Sequence, residues 1–210
     1  MANRRPNLER YRGGRIVSDE PITEACVVLG RFQPVHRGHA SLLSSAEEWR
    51  EKNAPNMPLR IAIGSINKPQ NLANPWDAGE REKMLNSSLR ELGFDAEIVG
   101  IPDIDDPPRW VNHAESYHGP SGVLITSDQA TADLYASSGW TVELIDLEDR
   151  TSLEGWRIRE TARMMSTITD EEAILTVLSP TVQVSVIEAM IEMDAFRRLA
   201  FMGEGGEPVG

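Results

Sequence analysis

Short apolar runs alternate with longer, mixed polar and apolar stretches along most of the chain. The apolar runs are residues 25–30, 59–64, 96–100, 122–126 and 141–145. Runs of this length between polar segments are typical of strands buried in a parallel sheet. The stretches that predict helices between them are about 38–52, 78–92, 108–118 and 129–138. This alternation predicts an α/β fold with a Rossmann-like parallel five-stranded sheet and helices on both faces.

The pattern becomes helical after about residue 155. Thr169 and Glu172 have the spacing of a capping box, which predicts a helix that begins there. Pro180 follows Ser179 at a position typical of a first helical turn, and this predicts a last helix that runs to about Leu199. The fold should therefore carry a small C-terminal helical segment.

These patterns divide the chain into four predicted segments. They are a flexible Arg-rich N-terminal extension (1–24), an α/β domain (25–165), C-terminal helices packed on that domain (166–202) and a disordered tail (203–210). The extension has no hydrophobic period, and the tail is rich in glycine and glutamate.

Composition narrows the classes of function. The 210 residues include 33 acidic and 21 basic side chains, for a net charge of −12, which argues against sequence-independent binding to nucleic acid. One cysteine excludes an internal disulfide framework. No apolar run approaches the ~18 residues that span a bilayer, so we expect no membrane segment and a cytoplasmic protein.

The most informative segment follows the first apolar run and reads Gly-Arg-Phe-Gln-Pro-Val-His-Arg-Gly-His over residues 30–39. His36 and His39 lie where a loop becomes a helix, so both can face an anion beside free N–H groups at the positive end of the helix dipole. Gly30 and Gly38 permit a sharp turn and close approach of the backbone. A metal half-site is the alternative, but no third ligand stands nearby at metal-binding spacing. The segment predicts a polyphosphate site.

This segment resembles the signature of the HxGH nucleotidyltransferases. A second block, Asn-Pro-Trp-Asp-Ala-Gly-Glu-Arg over residues 74–81, is similar to the Asn-Pro-Phe-Thr-Ala-Gly-Glu-Arg of the archaeal type of nicotinamide-nucleotide adenylyltransferase. That resemblance implies transfer of an adenylyl group from ATP to nicotinamide mononucleotide, giving NAD and pyrophosphate, with Mg²⁺ present and no covalent enzyme intermediate. It also implies a homo-oligomer, for which a hexamer is the expected form.

The resemblance also implies which residues bind ATP. It assigns His36, His39 and Arg159 to catalysis through contact with the phosphates. The residues it assigns to ATP binding are Gly30, Arg31, Phe32, Gln33, Gly38, Asp128, Gly155 and Arg157. Arg159 belongs to a third block, residues 153–159, which resembles the Tyr-Ser-Gly-Thr-x-Ile-Arg motif of the family. No metal-ligating side chain is predicted.

A second group of residues is expected to bind the mononucleotide. It comprises Ser65, Asn74, Pro75, Trp76, Arg81 and Trp110. Trp76 and Trp110 stand in polar, proline-flanked segments, and aromatic faces attract a cationic pyridinium ring. Burial in the core is the alternative for each tryptophan. Asn74 offers a donor and an acceptor for a carboxamide.

The third block departs from the family pattern at Glu154, where Ser is usual, and at Trp156, where Thr is usual. A carboxylate beside a triphosphate repels it unless a cation intervenes. The departures leave two alternatives open. One is a nucleotidyltransferase with another acceptor, such as FMN, phosphopantetheine or a polyol phosphate, and the other is a non-catalytic protein that binds NAD or ATP.

Overall fold

The computed structural model describes residues 22–147 and 153–202. Within these residues one parallel sheet contains β1 (Ala25–Gly30), β2 (Leu59–Ile63), β3 (Glu97–Gly100), β4 (Gly122–Thr126) and β5 (Thr141–Leu144). The strands lie in the order β3-β2-β1-β4-β5, and the predicted Rossmann-like sheet is confirmed. Most of the predicted N-terminal extension (1–21) and the predicted tail (203–210) lie outside the described residues.

Helices connect the strands and then follow the sheet. They are α1 (Arg37–Asn53), α2 (Ala78–Leu92), α3 (Trp110–His118), α4 (Gln129–Ser137), α5 (Gly155–Met164), α6 (Glu171–Leu178) and α7 (Val184–Glu192). Helix α2 begins at a capping box in which Asp77 and Glu80 each accept a hydrogen bond from the other's main-chain N–H. It ends at Gly93, whose φ of 84° suits a residue without Cβ.

The two faces of the sheet bury separate cores, as the alternation of side chains along a strand requires. Cys26 and Val28 of β1 pack in the core shared with α1, α2 and α5 to α7. Ala25 and Val27 pack in the other core, with α3 and α4. Helices therefore cover both faces, as predicted, and the C-terminal helices belong to the first core.

The C-terminal helices begin at other residues than the pattern predicts. The prediction of Thr169 as the cap of α6 is wrong by one residue, because the Asp170 carboxylate accepts hydrogen bonds from the N–H groups of Glu172 and Ala173. Helix α7 begins at Val184, not at Pro180.

A contact with helix α1 explains the late start of α7. The main-chain N–H of Arg37 donates to the carbonyl of Thr181 at 2.8 Å, and its Nε donates to the carbonyl of Ser179 at 2.9 Å. These carbonyls would accept helical hydrogen bonds if the helix began at Pro180. Residues 179–182 instead form a turn against the start of α1.

The strand order reverses around β1, which lies between β2 and β4. Sheets of this class bind ligands beside such a reversal, outside the carboxyl ends of the strands. The segments that follow β1, β4 and β5 meet there, together with the first turns of α1 and α5. This edge of the sheet is where a functional site is expected.

Candidate functional site: a cationic cavity at the carboxyl ends of the strands

A cavity of about 530 Å³ opens at this edge. Its lining residues follow β1, β4 and β5 or belong to the starts of α1 and α5: Arg31, His36, Gly38, His39, Leu42, Ser127, Leu147, Leu153, Glu154, Gly155, Trp156 and Arg159. The three residues predicted to be catalytic lie together here, although 120 positions separate His39 from Arg159. Arg31, Gly38 and Gly155, predicted to bind ATP, line the same cavity.

His36 and His39 form a stacked pair at the start of α1. His36 is the N-cap residue, and His39 is the third residue of the helix. Their ring centroids lie 3.8 Å apart at an interplanar angle of 34°. A Cβ on Gly38 would lie 3.1 Å from the His36 ring, so glycine leaves room for the pair to close.

Both histidines are neutral in this arrangement. Burial, and then the charge of Arg159, lowers the pKa of His36 to about 4. Burial, and then the nearby His36, lowers the pKa of His39 well below its usual value. Both Nδ1 atoms are buried and have no hydrogen-bond partner within the described parts of the chain. Buried nitrogens without a partner are costly, and a ligand that engaged them would remove that cost.

Arg159 links α5 to the loop of His36. Its Nη1 donates to the main-chain oxygen of Gln33 at 2.7 Å. A Cβ on Gly155 would lie 3.2 Å from this guanidinium, so glycine admits the Arg159 side chain. Burial, and then Arg31, lowers the pKa of Arg159. Arg159 is the fifth residue of α5, so it projects from the second turn of that helix.

Glu154 is paired at the mouth of the cavity. It precedes α5, and its Oε2 accepts from Nε1 of Trp156 at 2.8 Å and from Nε of Arg157 at 3.2 Å. The Arg157 guanidinium lies 4.6 Å from the centre of the Trp156 ring. The negative charge of Glu154, which replaces the usual Ser, is therefore partly neutralised by Arg157 in the first turn of α5.

Four other residues predicted to bind ATP lie behind or beside the cavity. A Cβ on Gly30 would lie 2.9 Å from the ring of Phe32, and that ring lies 4.8 Å from the ring of His39. The Gln33 side chain turns away toward the residues that precede α2. The Asp128 carboxylate caps α4 by accepting from the N–H and the hydroxyl of Thr131.

The Asn-Pro-Trp block is buried, which does not fit the predicted stacking role of Trp76. Trp76 is fully buried, and its Nε1 donates to the main-chain oxygen of Ala195 at 3.0 Å. Gln33 donates through Nε2 to Asn74 and to the oxygen of Trp76, and its Oε1 accepts from the N–H of Trp76. A ring enclosed in this way offers no face to a ligand. Trp76 and the adjacent buried Pro75 pack in the core instead.

Arg81 is also enclosed, and its guanidinium contacts main-chain oxygens. It donates to the carbonyls of Arg31 at 2.9 Å and of Gly64 at 2.8 Å, and its Nε donates to the carbonyl of Asp77. It is 1% exposed. Arg81 thereby joins the ends of β1 and β2 and positions the segment that begins with Arg31.

Trp110 lies in a second cavity, of about 360 Å³, at the same edge of the sheet. Its lining residues are Asp103, Asp105, Asp106, Pro107, Trp110 and Leu134. Ser65, at the end of β2, donates to the Asp103 carboxylate at 3.2 Å. Lys68 pairs with Asp103 and Asp105, and Arg109 pairs with Asp106. The Trp110 ring itself is therefore the feature suited to a flat cationic group. Two of the residues predicted to bind the mononucleotide, Ser65 and Trp110, are thus at or beside this cavity.

The sequence reasoning missed part of the first cavity. It did not select Leu42, Ser127, Leu147 and Leu153, and it regarded Glu154 and Trp156 only as departures. Ser127 directly follows β4 and Leu147 closely follows β5, so the rule that loops after parallel strands carry the site could have found both.

Residues 22–147 and 153–202 contain no group of three or more His, Cys, Asp or Glu side chains placed to hold a metal ion. In the same residues, no helix combines the length and the apolar content that crossing a membrane requires.

The family model described as cytidylyltransferase-like matches residues 27–144. This match spans more than half of the chain and includes the sheet and the stacked histidines, so the chain belongs to the cytidylyltransferase-like family.

Within that class, the chain is similar to curated archaeal nicotinamide-nucleotide adenylyltransferases. It is 34% identical to that of Picrophilus torridus over 133 residues, which are 63% of this chain and 75% of the relative. Identity to that of Methanococcus aeolicus is 30% over 134 residues, 64% of this chain and 74% of the relative. Identity to that of Haloarcula marismortui is 29% over 176 residues, 84% and 85% of the two chains.

A solved structure shares the fold at lower identity. It is a bifunctional NMN adenylyltransferase/ADP ribose pyrophosphatase from Francisella tularensis complexed with AMP and a Mn ion, with a TM-score of 0.57 and 18% identity. The match covers 84% of this chain and 51% of the other, so this chain spans about half the length of that protein. The likeness supports the α/β fold.

Proposed function

We propose that this chain transfers the adenylyl group of ATP to nicotinamide mononucleotide, forming NAD and pyrophosphate. The observation that supports it most is the placement of His36 and His39 beside Arg159 at the strand-order reversal. The archaeal relatives bear the name of this activity.

The triphosphate of ATP binds in the first cavity. Arg31 and Arg159 supply positive charge, and the first turns of α1 and α5 supply main-chain N–H groups that have no helical partner. Each neutral histidine can donate from one ring nitrogen or take up a proton when an anion approaches. Arg157 reaches the phosphates by exchanging its contact with Glu154 for them, while Gly30, Phe32, Gln33 and Asp128 hold the surrounding loops.

Nicotinamide mononucleotide binds toward the second cavity, where Trp110 stacks on its pyridinium ring and Asp103 contributes negative charge. Ser65 positions Asp103 through their hydrogen bond. Asn74, Pro75, Trp76 and Arg81 act indirectly, since they are buried and fix the segments that end β1 and β2.

The reaction requires a bond exchange at the α-phosphorus. A phosphate oxygen of the mononucleotide forms a bond to this phosphorus, and the bond to the bridging oxygen of pyrophosphate breaks, with the electron pair leaving on that oxygen. No proton has to move in this exchange. His36, His39 and Arg159 stabilise the charge that develops on the phosphates, and alignment of the two substrates supplies the rest.

Mg²⁺ accompanies ATP in this proposal. Glu154, the carboxylate at the cavity, already accepts from Trp156 and Arg157, which fits an ion held mainly by phosphate oxygens and water. Bound there, the ion would neutralise charge on the phosphates.

We further propose that the protein forms a homo-oligomer, such as a hexamer, and works in the cytoplasm. Exposed apolar side chains on the C-terminal helices, among them Val177 (41% exposed) and Val184 (42% exposed), are suited to contact with a second copy. Light scattering coupled to size exclusion measures the assembly.

Incubation of the purified protein with ATP, Mg²⁺ and nicotinamide mononucleotide tests the function. We expect equal amounts of NAD and pyrophosphate, and loss of both in His39→Ala. Parallel reactions replace the acceptor by nicotinate mononucleotide, FMN, phosphopantetheine or a polyol phosphate, and replace ATP by CTP. Faster turnover of another pair would reassign the substrate, and ATP binding without turnover of any pair would indicate a non-catalytic protein.

A further inference from the structure

Trp156 is a large aromatic residue that lines the first cavity while 52% of its surface remains exposed. An exposed tryptophan on a helix is usually free to change rotamer, but this ring is held at two points. Its Nε1 donates to Glu154 at 2.8 Å, and the Arg157 guanidinium lies 4.6 Å from the ring centre. The ring is therefore presented in a fixed orientation.

The lining of the cavity has two chemically different parts. Arg31 and Arg159 are the cationic groups of one part, which also holds the neutral His36 and His39. Leu42, Leu147 and Leu153 form an apolar part together with Trp156. A nucleoside triphosphate has the same division, an anionic chain of phosphates and a flat, weakly polar base. The apolar side chains offer no charge to phosphates, and their surface is complementary to the flat base.

We propose that Trp156 stacks on the purine base of the bound nucleotide and that Glu154 and Arg157 hold the ring for this contact. Arg157 covers one face of the indole by a cation–π contact, and the opposite face receives the base. Stacking on an aromatic ring is insensitive to which base is present but depends on a flat face. Trp156 thus adds affinity for the base that is independent of the phosphate contacts.

This inference deepens the proposed function and rests on it for the nature of the nucleotide. The two proposals are tested by different quantities, because stacking changes nucleotide affinity, whereas the proposed function requires turnover. The measurement is therefore calorimetric binding of two probes, ATP and inorganic tripolyphosphate, which share the phosphates but not the base.

The test compares Trp156→Leu, which keeps an apolar side chain but removes the flat face, with Trp156→Phe, which keeps a flat face. We expect Trp156→Leu to weaken ATP binding roughly tenfold and to leave tripolyphosphate binding within about twofold of wild type. Trp156→Phe should retain most of the ATP affinity. Phe201→Leu, at an exposed aromatic residue that lines a separate cavity, is the matched control and should change neither.

Two results would overturn the inference: unchanged ATP affinity in Trp156→Leu, or equal weakening of ATP and tripolyphosphate, which would make Trp156 a phosphate-site residue. Failure of wild type to bind ATP would overturn both proposals. Where wild type does bind ATP, an assay of NAD formation on the same samples distinguishes the two proposals. Wild type that binds ATP through Trp156 but forms no NAD contradicts the proposed function alone, and NAD formation with an unchanged KM for ATP in Trp156→Leu contradicts the stacking alone.

Discussion

The Nη1 atom of Arg159 lies 2.7 Å from the main-chain oxygen of Gln33, 126 positions earlier in the sequence. This hydrogen bond joins α5 to the loop that ends at His36, the N-cap residue of α1. The guanidinium therefore makes a hydrogen bond within the fold, and Arg159 also lines the cavity. It positions the histidine loop and adds charge to the phosphate site.

The first prediction concerns Arg159. Arg159→Ala should lower kcat by about 100-fold or more, the usual cost of removing a preorganised charge stabiliser. Arg159→Lys keeps the charge but cannot supply the same forked donor, so its kcat should lie between those of wild type and Arg159→Ala. Arg163→Ala is the matched control because Arg163 is exposed one turn later on the same helix. Steady-state kinetics with wild-type activity in Arg159→Ala would show that the phosphate site is elsewhere.

The second prediction concerns the protonation of the stacked histidines. Burial holds the pKa of His36 at about 4 in the free protein, so at pH 6 its ring is neutral. A bound triphosphate favours the charged ring and raises this pKa, so binding takes up protons and ATP affinity rises as the pH falls from 8 to 6.

Calorimetry in two buffers of different ionisation enthalpy measures this uptake. Because ATP itself titrates near this range, the informative quantity is the difference between wild type and the variant His36→Gln/His39→Gln. Equal proton uptake by the two proteins would mean that the histidines bind phosphate as neutral donors.

The third prediction separates the two tryptophans once assigned to the mononucleotide. Trp76→Ala should lower the free energy of unfolding by roughly 3–5 kcal/mol, since it empties a fully buried site, and Trp76→Phe should cost less. Trp110→Ala should leave the thermal midpoint nearly unchanged and raise KM for nicotinamide mononucleotide several-fold. Denaturant titration and initial rates test the pair. A raised KM with normal stability in Trp76→Ala would reverse this assignment.

The fourth prediction concerns the charge of Glu154. Glu154→Gln keeps an oxygen that can accept from Nε1 of Trp156 but removes the negative charge and frees Arg157 for the phosphates. Binding of inorganic tripolyphosphate should therefore tighten several-fold, and more so at low salt, because salt screens exposed charges. Glu172→Gln, at an exposed carboxylate in the first turn of α6, is the control. Weaker binding of Mg²⁺-ATP with unchanged binding of tripolyphosphate alone would instead make Glu154 a ligand of the ion.

The sheet and its first four helices could be predicted because their signals are local. Apolar runs and the helical stretches between them depend on residues close in sequence, and the motif at residues 30–39 places both histidines at the start of α1. The predicted start of α7 is too early because the true start depends on Arg37, which donates hydrogen bonds to the carbonyls of Ser179 and Thr181. No local pattern contains that contact.

The candidate site was predictable in its charged half and not in its apolar half. Histidine and arginine motifs have recognisable spacing, but Leu42 and Leu153 resemble ordinary core residues until the fold places them at the cavity. Trp76 donates a hydrogen bond to Ala195, 119 positions later. The polar residues beside Trp76 in the sequence therefore wrongly predicted a ring that faces a ligand. The pairing of Glu154 with Arg157 is by contrast a contact between residues three positions apart, and the sequence indicates it.

The central claim is that the stacked histidines and Arg159 hold ATP for transfer of its adenylyl group to a mononucleotide. The most direct measurement follows two labelled forms of ATP, one labelled at the α-phosphorus and one at the γ-phosphorus, in reactions with nicotinamide mononucleotide. The α label should appear in NAD and the γ label in pyrophosphate, in equal amounts, and both should be lost in His39→Ala. Release of the γ label as inorganic phosphate, or equal yields of NAD from wild type and His39→Ala, would contradict the account.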